Sequence, residues 1–323
     1  MTDADVTMAL RPYDHWVSLW VGQVQTPGIN LELVHDAPLV IDFAPDIDIA
    51  EISFNRYLML CARGDDRLTG LPAFVLRGFR HRNFFVRADS PLRSLADLKG
   101  RRLGSNSWPD SGTLWARAAM RDAGVDIGDV QWVIGTLDET TPNRPPSPHD
   151  AQPPAGAEFL GGSDTLLAKL KDGSIDAVTT AFAPPAILGK GGWIRRLVQD
   201  YPAIEADYHR RTGVYPAFHI VAARRDYATA HPGRVRAVYA ALQKAFGIWS
   251  TKTLKFGEAS PWAMQELETM YRDFAQDTPP FGTESAAHQK MLATMCAEQQ
   301  AQGLVEKAAD PKTLFAAFNA LPG

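Results

Sequence analysis

Cysteine is nearly absent from this chain: Cys61 and Cys296 are its only two, far apart in sequence. They make neither a disulfide framework nor a metal-ligand spacing, and a pair of buried free thiols is the plain reading. Long apolar runs are missing too, with no stretch approaching the roughly 20 residues that span a bilayer. Charge of one sign is not in excess, since 33 Lys and Arg meet 37 Asp and Glu for a formal net charge of −4. Without a basic tail or Lys/Arg run, no nucleic-acid surface is expected. The opening MTDADVTMALRPYDHW has neither the basic n-region nor the apolar h-region of a secretory leader. A cytoplasmic location with no membrane partner is therefore the expectation.

What is present is an ordinary globular composition, 45% apolar and 22% charged, on 323 residues. That length suits two cores of usual size. Short β-like runs alternate with helical patterns: Val6–Leu10, Ile29–His35, Ile47–Ile52 and Asn83–Arg87 read as strands, with a helix through Tyr57, Leu58 and Leu60. Strands at Arg102–Ser105, Val130–Ile134, Ile175–Thr180 and Ala217–Ala223 follow, with helices at Thr113–Ala123 and Asp164–Lys171 between them. Beyond Ala223 the pattern is helical, over Gly233–Ile248, Pro261–Phe274, Ser285–Gln302 and Pro311–Ala320. Such alternation implies an α/β fold with mostly parallel pairing. One Pro-rich stretch, 138–162, cannot bury enough apolar area to order itself and reads as an exposed loop or flap.

The segment SPLRSLADLKGRRLGSNS, Ser90–Ser107, resembles the signature of type II solute-binding proteins. The resemblance implies a two-lobed type II periplasmic-binding-protein-like fold with a helical C-terminal extension, closing on a small anion between its lobes. It places the crossings near Gly104 and Val214, so that 1–104 plus 215–323 form lobe 1 and 105–214 lobe 2. A narrower resemblance, to the 4,5-dihydroxyphthalate decarboxylase family, rests on four blocks in order: RPYDHWVSLWVGQVQTPGINLEL, IDIAEISFNRYL, GFRHRNFFVRADSPL and RRTGVYPAFHIVAARRD. The Pro-rich insertion and Asn55-Arg56 depart from that family's pattern. Members are described as cytoplasmic, non-oxidative aromatic decarboxylases on a binding-protein scaffold.

Several residues have two readings each. His219, mid-strand and sharing a face with Ala217 and Val221, is either a core histidine or a general acid that protonates a ring carbon as carbon dioxide leaves. Arg80, His81 and Arg82 are either a solvated basic loop or ligand contacts; a guanidinium fork suits a carboxylate. Asn106, Ser107, Trp108, Asp110 and Ser111 lie at a strand-to-helix junction that either caps a helix or offers N–H groups to an anion. Glu51, Ser53, Asn55 and Arg56 sit at a strand's C-terminal end, where open α/β sheets bind ligands. Glu51 would hold a phenolic hydroxyl, orient His219, or cap the next helix. Tyr13, Asp14 and His15 follow the first strand, with Asp14 as a simple N-cap. Trp16, Trp20, Trp115 and Trp132 read as core, and Phe182 as a ring that could stack on the ligand.

The expected function is decarboxylation of a hydroxylated aromatic carboxylate such as 4,5-dihydroxyphthalate. His219 or His81 would donate the proton, with Glu51 beside them. The substrate's own hydroxyl supplies the electron push, so no cofactor is expected. His15, His81 and His219 could converge with Glu51 on a metal, but no HxxH or HxxxH spacing supports one. The alternative is a solute-binding protein that hands a small organic anion to an ABC transporter, or a ligand sensor. Monomer and homo-oligomer both stay open.

Overall fold

A computed structural model describes residues 5–35, 39, 41–140, 150–188, 192–257, 261–272 and 280–322. Within the Pro-rich stretch, residues 141–149 lie outside the described residues; the described remainder is half-buried to exposed loop apart from the short exposed strand Glu158–Phe159. The described strands are β1 (Val6–Ala9), β2 (Leu31–Val34), β3 (Ile49–Ser53), β4 (Leu68–Arg77), β5 (Phe84–Arg87), β6 (Arg102–Ser105), β7 (Gln131–Ile134), β8 (Glu158–Phe159), β9 (Ala177–Thr179), β10 (Ile194–Arg196) and β11 (Ala217–Arg224).

The chain forms two compact units. The first contains Met1–Arg77, Ala217–Ala293 and Ala309–Gly323; the second contains Gly78–Pro216 and Thr294–Ala308. The first changeover comes at Arg77–Gly78 rather than near Gly104, because β5 pairs with β9 and β10 and so joins the sheet that holds β6. The second, at Pro216–Ala217, falls beside the expected Val214. Nor does the C-terminal helical region lie wholly in the first unit. Its segment Thr294–Ala308 is tied into the second, where Arg121 Nη1 donates to Glu298 at 2.7 Å and Arg117 Nε to Gln302 Oε1 at 2.7 Å.

The first unit's sheet runs β2-β1-β3-β11-β4. β1 is parallel to β2 and β3, whereas β11 is antiparallel to both β3 and β4, so pairing is more mixed than expected. β3 is central, and all five residues of IAEIS are buried, Glu51 included. A helix, Phe54–Ala62, leaves β3 at once, with Ser53 at its N-cap position. β4 is an edge strand, which is where Pro72 can be tolerated because no interior ladder bond is lost. Its register against β11 shifts on both sides of His219. Irregularities of this kind re-aim side chains beside functional sites.

The core of this unit gathers Met8, Trp16, Ile49 and Val221 with Val238 and Leu242 of the helix Pro232–Phe256. Pro232 stands in that helix's first turn, where its missing N–H costs nothing. Trp16 is fully buried, as expected.

The second unit's sheet runs β10-β5-β9-β6-β7-β8. β6, β7, β8 and β9 pair in parallel, and β5 runs antiparallel to β9 and β10. Phe85, Val133, Leu166, Leu170 and Val178 form its core. The helix Ser111–Asp122 follows β6, and a helix Tyr201–Thr212 ends at Gly213, whose φ of 66° suits a residue without Cβ. No helix among the described residues is long and apolar enough to cross a membrane. Neither cysteine is in a disulfide; Cys296 is buried but Cys61 only half-buried, its thiol pushed up to about 11 chiefly by burial.

Candidate active site

The best-organised group of polar side chains in the first unit centres on Glu51. In the antiparallel β3–β11 ladder His219 stands directly opposite Ser53 and Val221 opposite Glu51. Glu51 and His219 are therefore diagonal neighbours on one face, a spacing that long side chains can close. His219 Nδ1 lies 2.6 Å from Glu51 Oε1. A carboxylate only accepts, so Nδ1 carries the hydrogen, and Nε2 is the ring nitrogen that Glu51 does not engage.

Two more donors fix the carboxylate. The Tyr13 hydroxyl donates to Oε1 at 2.8 Å and the Arg11 backbone N–H to Oε2 at 3.0 Å. Glu51 is fully buried, while the His219 side chain keeps 12% of its surface exposed. Burial alone would raise the Glu51 carboxyl, but the hydrogen bonds from His219, Arg11 and Tyr13 outweigh it and hold the group below the usual carboxylate range. Tyr13 is driven the other way, upward, by burial and by the Glu51 charge, so it stays a phenol that donates. Its hydroxyl is also 3.4 Å from His219 Nδ1, too long to compete with the bond to Glu51.

The Tyr13 ring stacks on His15, centroids 5.4 Å apart and planes 7° apart. His15 Nε2 donates to the Val75 carbonyl at 2.9 Å, in the stretch of β4 where the ladder register shifts. Burial lowers the His15 imidazole below its ordinary value.

The other sequence-level candidates divide. Ser53 is buried across from His219, and Asn55 and Arg56 are buried in the first turn of the helix Phe54–Ala62. In the second unit, His81 is buried against Tyr208, centroids 5.1 Å apart, and burial pushes its imidazole down to about 4. A neutral, enclosed ring of that kind is a poor acid near neutral pH. Arg82 donates its backbone N–H to buried Glu205 at 3.2 Å, with its guanidinium 3.5 Å from the same carboxylate.

Arg80 lies against the first turn of the helix Ser111–Asp122: a Cβ on Gly112 would stand 2.8 Å from its Nη2. Its Nη1 donates to the Ala181 carbonyl at 3.1 Å. Burial pulls the guanidinium down to about 10, with Arg82 adding to the drop and Glu205 and Asp110 opposing it. Asn106 and Ser107 are half-buried, Asp110 is the N-cap residue and Ser111 is buried.

Trp108 is core, edge-on to Trp132 at 5.0 Å and covered by the Arg117 guanidinium at 3.9 Å. Trp115 is buried as well, and Phe182 is exposed. Among the described residues no three His, Cys, Asp or Glu side chains gather as a metal site would require.

Sequence reading missed the part played by Tyr13 and by the Arg11 N–H. The segment RPYDHW offered no local cue, because the partner carboxylate is 38 residues away from Tyr13 and reaches it only through the β1–β3 pairing.

Comparison with known proteins bears on this geometry. A protein of Comamonas testosteroni named 4,5-dihydroxyphthalate decarboxylase is 27% identical over 325 residues, 98% of this chain and 97% of its own. A second of that name, from Pseudomonas putida, is 28% identical over 218 residues, 65% of this chain and 83% of its own. The chain resembles 4,5-dihydroxyphthalate decarboxylases. The resemblance to the first runs almost end to end and includes the segments carrying Tyr13, Glu51 and His219. A family model described as NMT1/THI5 like matches residues 75–143. Among solved structures, the periplasmic sulfonate-binding protein SsuA of Methylobacillus flagellatus superposes with a TM-score of 0.57 at 17% identity, covering 96% of this chain and 90% of that one. The fold is thus the α/β fold of periplasmic binding proteins.

Proposed function

We propose that this protein is a non-oxidative decarboxylase of a hydroxylated aromatic carboxylate, 4,5-dihydroxyphthalate or a close analogue. The observation that carries the reading is the Glu51–His219 pair, 2.6 Å apart, with Glu51 buried and the His219 side chain 12% exposed, in a chain similar almost end to end to a protein of that name. The chemistry asks for little more. In 4,5-dihydroxyphthalate each carboxylate is para to a hydroxyl, so the ring can be protonated at the carbon that bears the carboxylate. The C–C bond then breaks, its electron pair restores the aromatic ring, and carbon dioxide leaves.

His219 supplies the proton from Nε2. Glu51 fixes the tautomer and ring orientation through Nδ1, and pairs with the imidazolium before transfer. Tyr13 and the Arg11 N–H keep Glu51 ionised and aimed. The second unit by itself carries an anion-binding candidate, Arg80 at the N-terminal turn of the helix Ser111–Asp122, since a guanidinium and a helix N-terminus both favour a carboxylate. In this reading the enzyme is cytoplasmic.

The sulfonate-binding neighbour favours a second reading, that of an anion-binding protein without chemistry. One assay separates the two. Carbon dioxide release from 4,5-dihydroxyphthalate, together with a rise in the thermal midpoint, supports the decarboxylase. A rise without carbon dioxide supports the binder.

A further inference from the structure

Two imidazoles flank Tyr13, and they are set up in opposite ways. His219 gives its Nδ1–H to a carboxylate. His15 gives its Nε2–H to a neutral carbonyl, that of Val75, at 2.9 Å. A carbonyl can only accept, so the His15 hydrogen sits on Nε2 and Nδ1 keeps its lone pair. The ring cannot turn over without losing that bond. It is also clamped, stacked on Tyr13 and met edge-on by Trp16 at 4.5 Å, Trp249 at 5.8 Å and Phe246 at 6.4 Å.

The electrostatics agree with the geometry. Burial is the largest influence on His15 and disfavours its cation, and Arg77 adds to it; the Val75 bond, Glu51 and Asp14 oppose and lose. The result is a fixed, neutral imidazole that presents an acceptor on a half-buried ring. Tyr13 cannot fill that role, because its hydroxyl is committed to Glu51.

Resting on the decarboxylase reading, we propose that His15 Nδ1 accepts the proton of a substrate ring hydroxyl, as the base that complements the His219 acid. The steps balance. As His219 protonates the ring carbon, the para hydroxyl loses its proton to His15 and the ring becomes a dienone. Loss of carbon dioxide returns the C–C electron pair to the ring, the oxygen regains its electrons, and His15 gives the proton back. The one proton consumed is that from His219, replaced from water. A fixed imidazole that burial keeps neutral is suited to take a proton, while the imidazole held by Glu51 gives one. This also makes His15 a specificity residue, since a substrate without the hydroxyl would leave Nδ1 facing an apolar edge.

The test uses binding, so it does not depend on turnover. Removing one carboxylate from 4,5-dihydroxyphthalate gives 3,4-dihydroxybenzoate, and benzoate is its counterpart without hydroxyls. By calorimetry, the wild type should prefer 3,4-dihydroxybenzoate by about tenfold or more. His15→Phe should lose that preference with benzoate affinity unchanged, and His15→Gln, which keeps an acceptor, should recover part of it. Because His15→Phe removes a buried hydrogen bond, a second readout uses the intact protein. The ¹⁵N signal of His15 Nδ1 should move toward the protonated range with 3,4-dihydroxybenzoate and not with benzoate. Equal preference in wild type and His15→Phe, or an Nδ1 signal indifferent to the hydroxylated ligand, overturns the proposal. Hydroxyl preference without carbon dioxide release supports the His15 contact and removes the decarboxylase reading; release without that preference does the reverse.

Discussion

Glu51 and His219 are 168 residues apart in sequence and 2.6 Å apart in space, joined across the diagonal of one antiparallel ladder. The Tyr13 hydroxyl shares Oε1 with His219, and the Arg11 N–H holds Oε2. A buried carboxylate with three donors is rigid, and so is the imidazole it holds. That rigidity is what a proton donor needs, since a misplaced donor loses most of its effect.

Glu51→Gln keeps the shape and removes the charge. The expected result is a fall in kcat of about 10²–10⁴-fold with a smaller change in KM. Stability should respond as well. The folded Glu51 carboxyl is held below its ordinary value of 4.5, so its contribution is present above that value and is lost as pH falls through the depressed one. Thermal midpoints from pH 7 downward should therefore drop more steeply for wild type than for Glu51→Gln at the acid end. Parallel curves would show that Glu51 is not the strongly held carboxylate described here.

His81 makes the contrasting case. Its imidazole is pushed from 6.5 down to about 4 in the fold, so between those values the unfolded chain binds more protons and stability falls as pH falls. His81→Phe keeps the packing against Tyr208 and should flatten the stability curve between pH 6.5 and 4. Carbon dioxide release at neutral pH should stay within about threefold of wild type, as for a residue outside the chemistry. Loss of turnover in a folded His81→Phe would return His81 to the mechanism.

Arg80 is expected to act on binding rather than on the chemical step. Arg80→Met should weaken an aromatic carboxylate by about 10- to 100-fold, as a lost charge-assisted hydrogen bond does. Arg80→Lys should recover little, because a point charge does not replace a planar fork. An unchanged dissociation constant for 3,4-dihydroxybenzoate in Arg80→Met would place the anion elsewhere.

Much of this was legible in the sequence, and the gaps have physical causes. His219 and Glu51 stood out because each lies on a short strand whose alternation or end position is local. Their partnership was one of three readings of Glu51, and only the β3–β11 register, which depends on tertiary packing, selects it. β4 went unread because Gly70 and Pro72 interrupt LTGLPAFVLR, and only its place at the sheet edge makes that proline harmless. The burial of His81 was hidden with the helix Tyr201–Thr212, whose Tyr208 covers it. That helix begins YPAIEADY, a weakly amphipathic run with a proline in its first turn. The early changeover at Arg77–Gly78 followed from β5 pairing away from the first sheet, which the DLKG turn could not reveal.

The most direct measurement compares His219→Asn with wild type on 4,5-dihydroxyphthalate, following carbon dioxide and ligand-induced stabilisation together. The wild type should release carbon dioxide, and the variant should still be stabilised by ligand while its rate falls about 10²–10⁴-fold. A variant that turns over as fast as wild type, or a wild type that binds the substrate and releases nothing, would contradict the account.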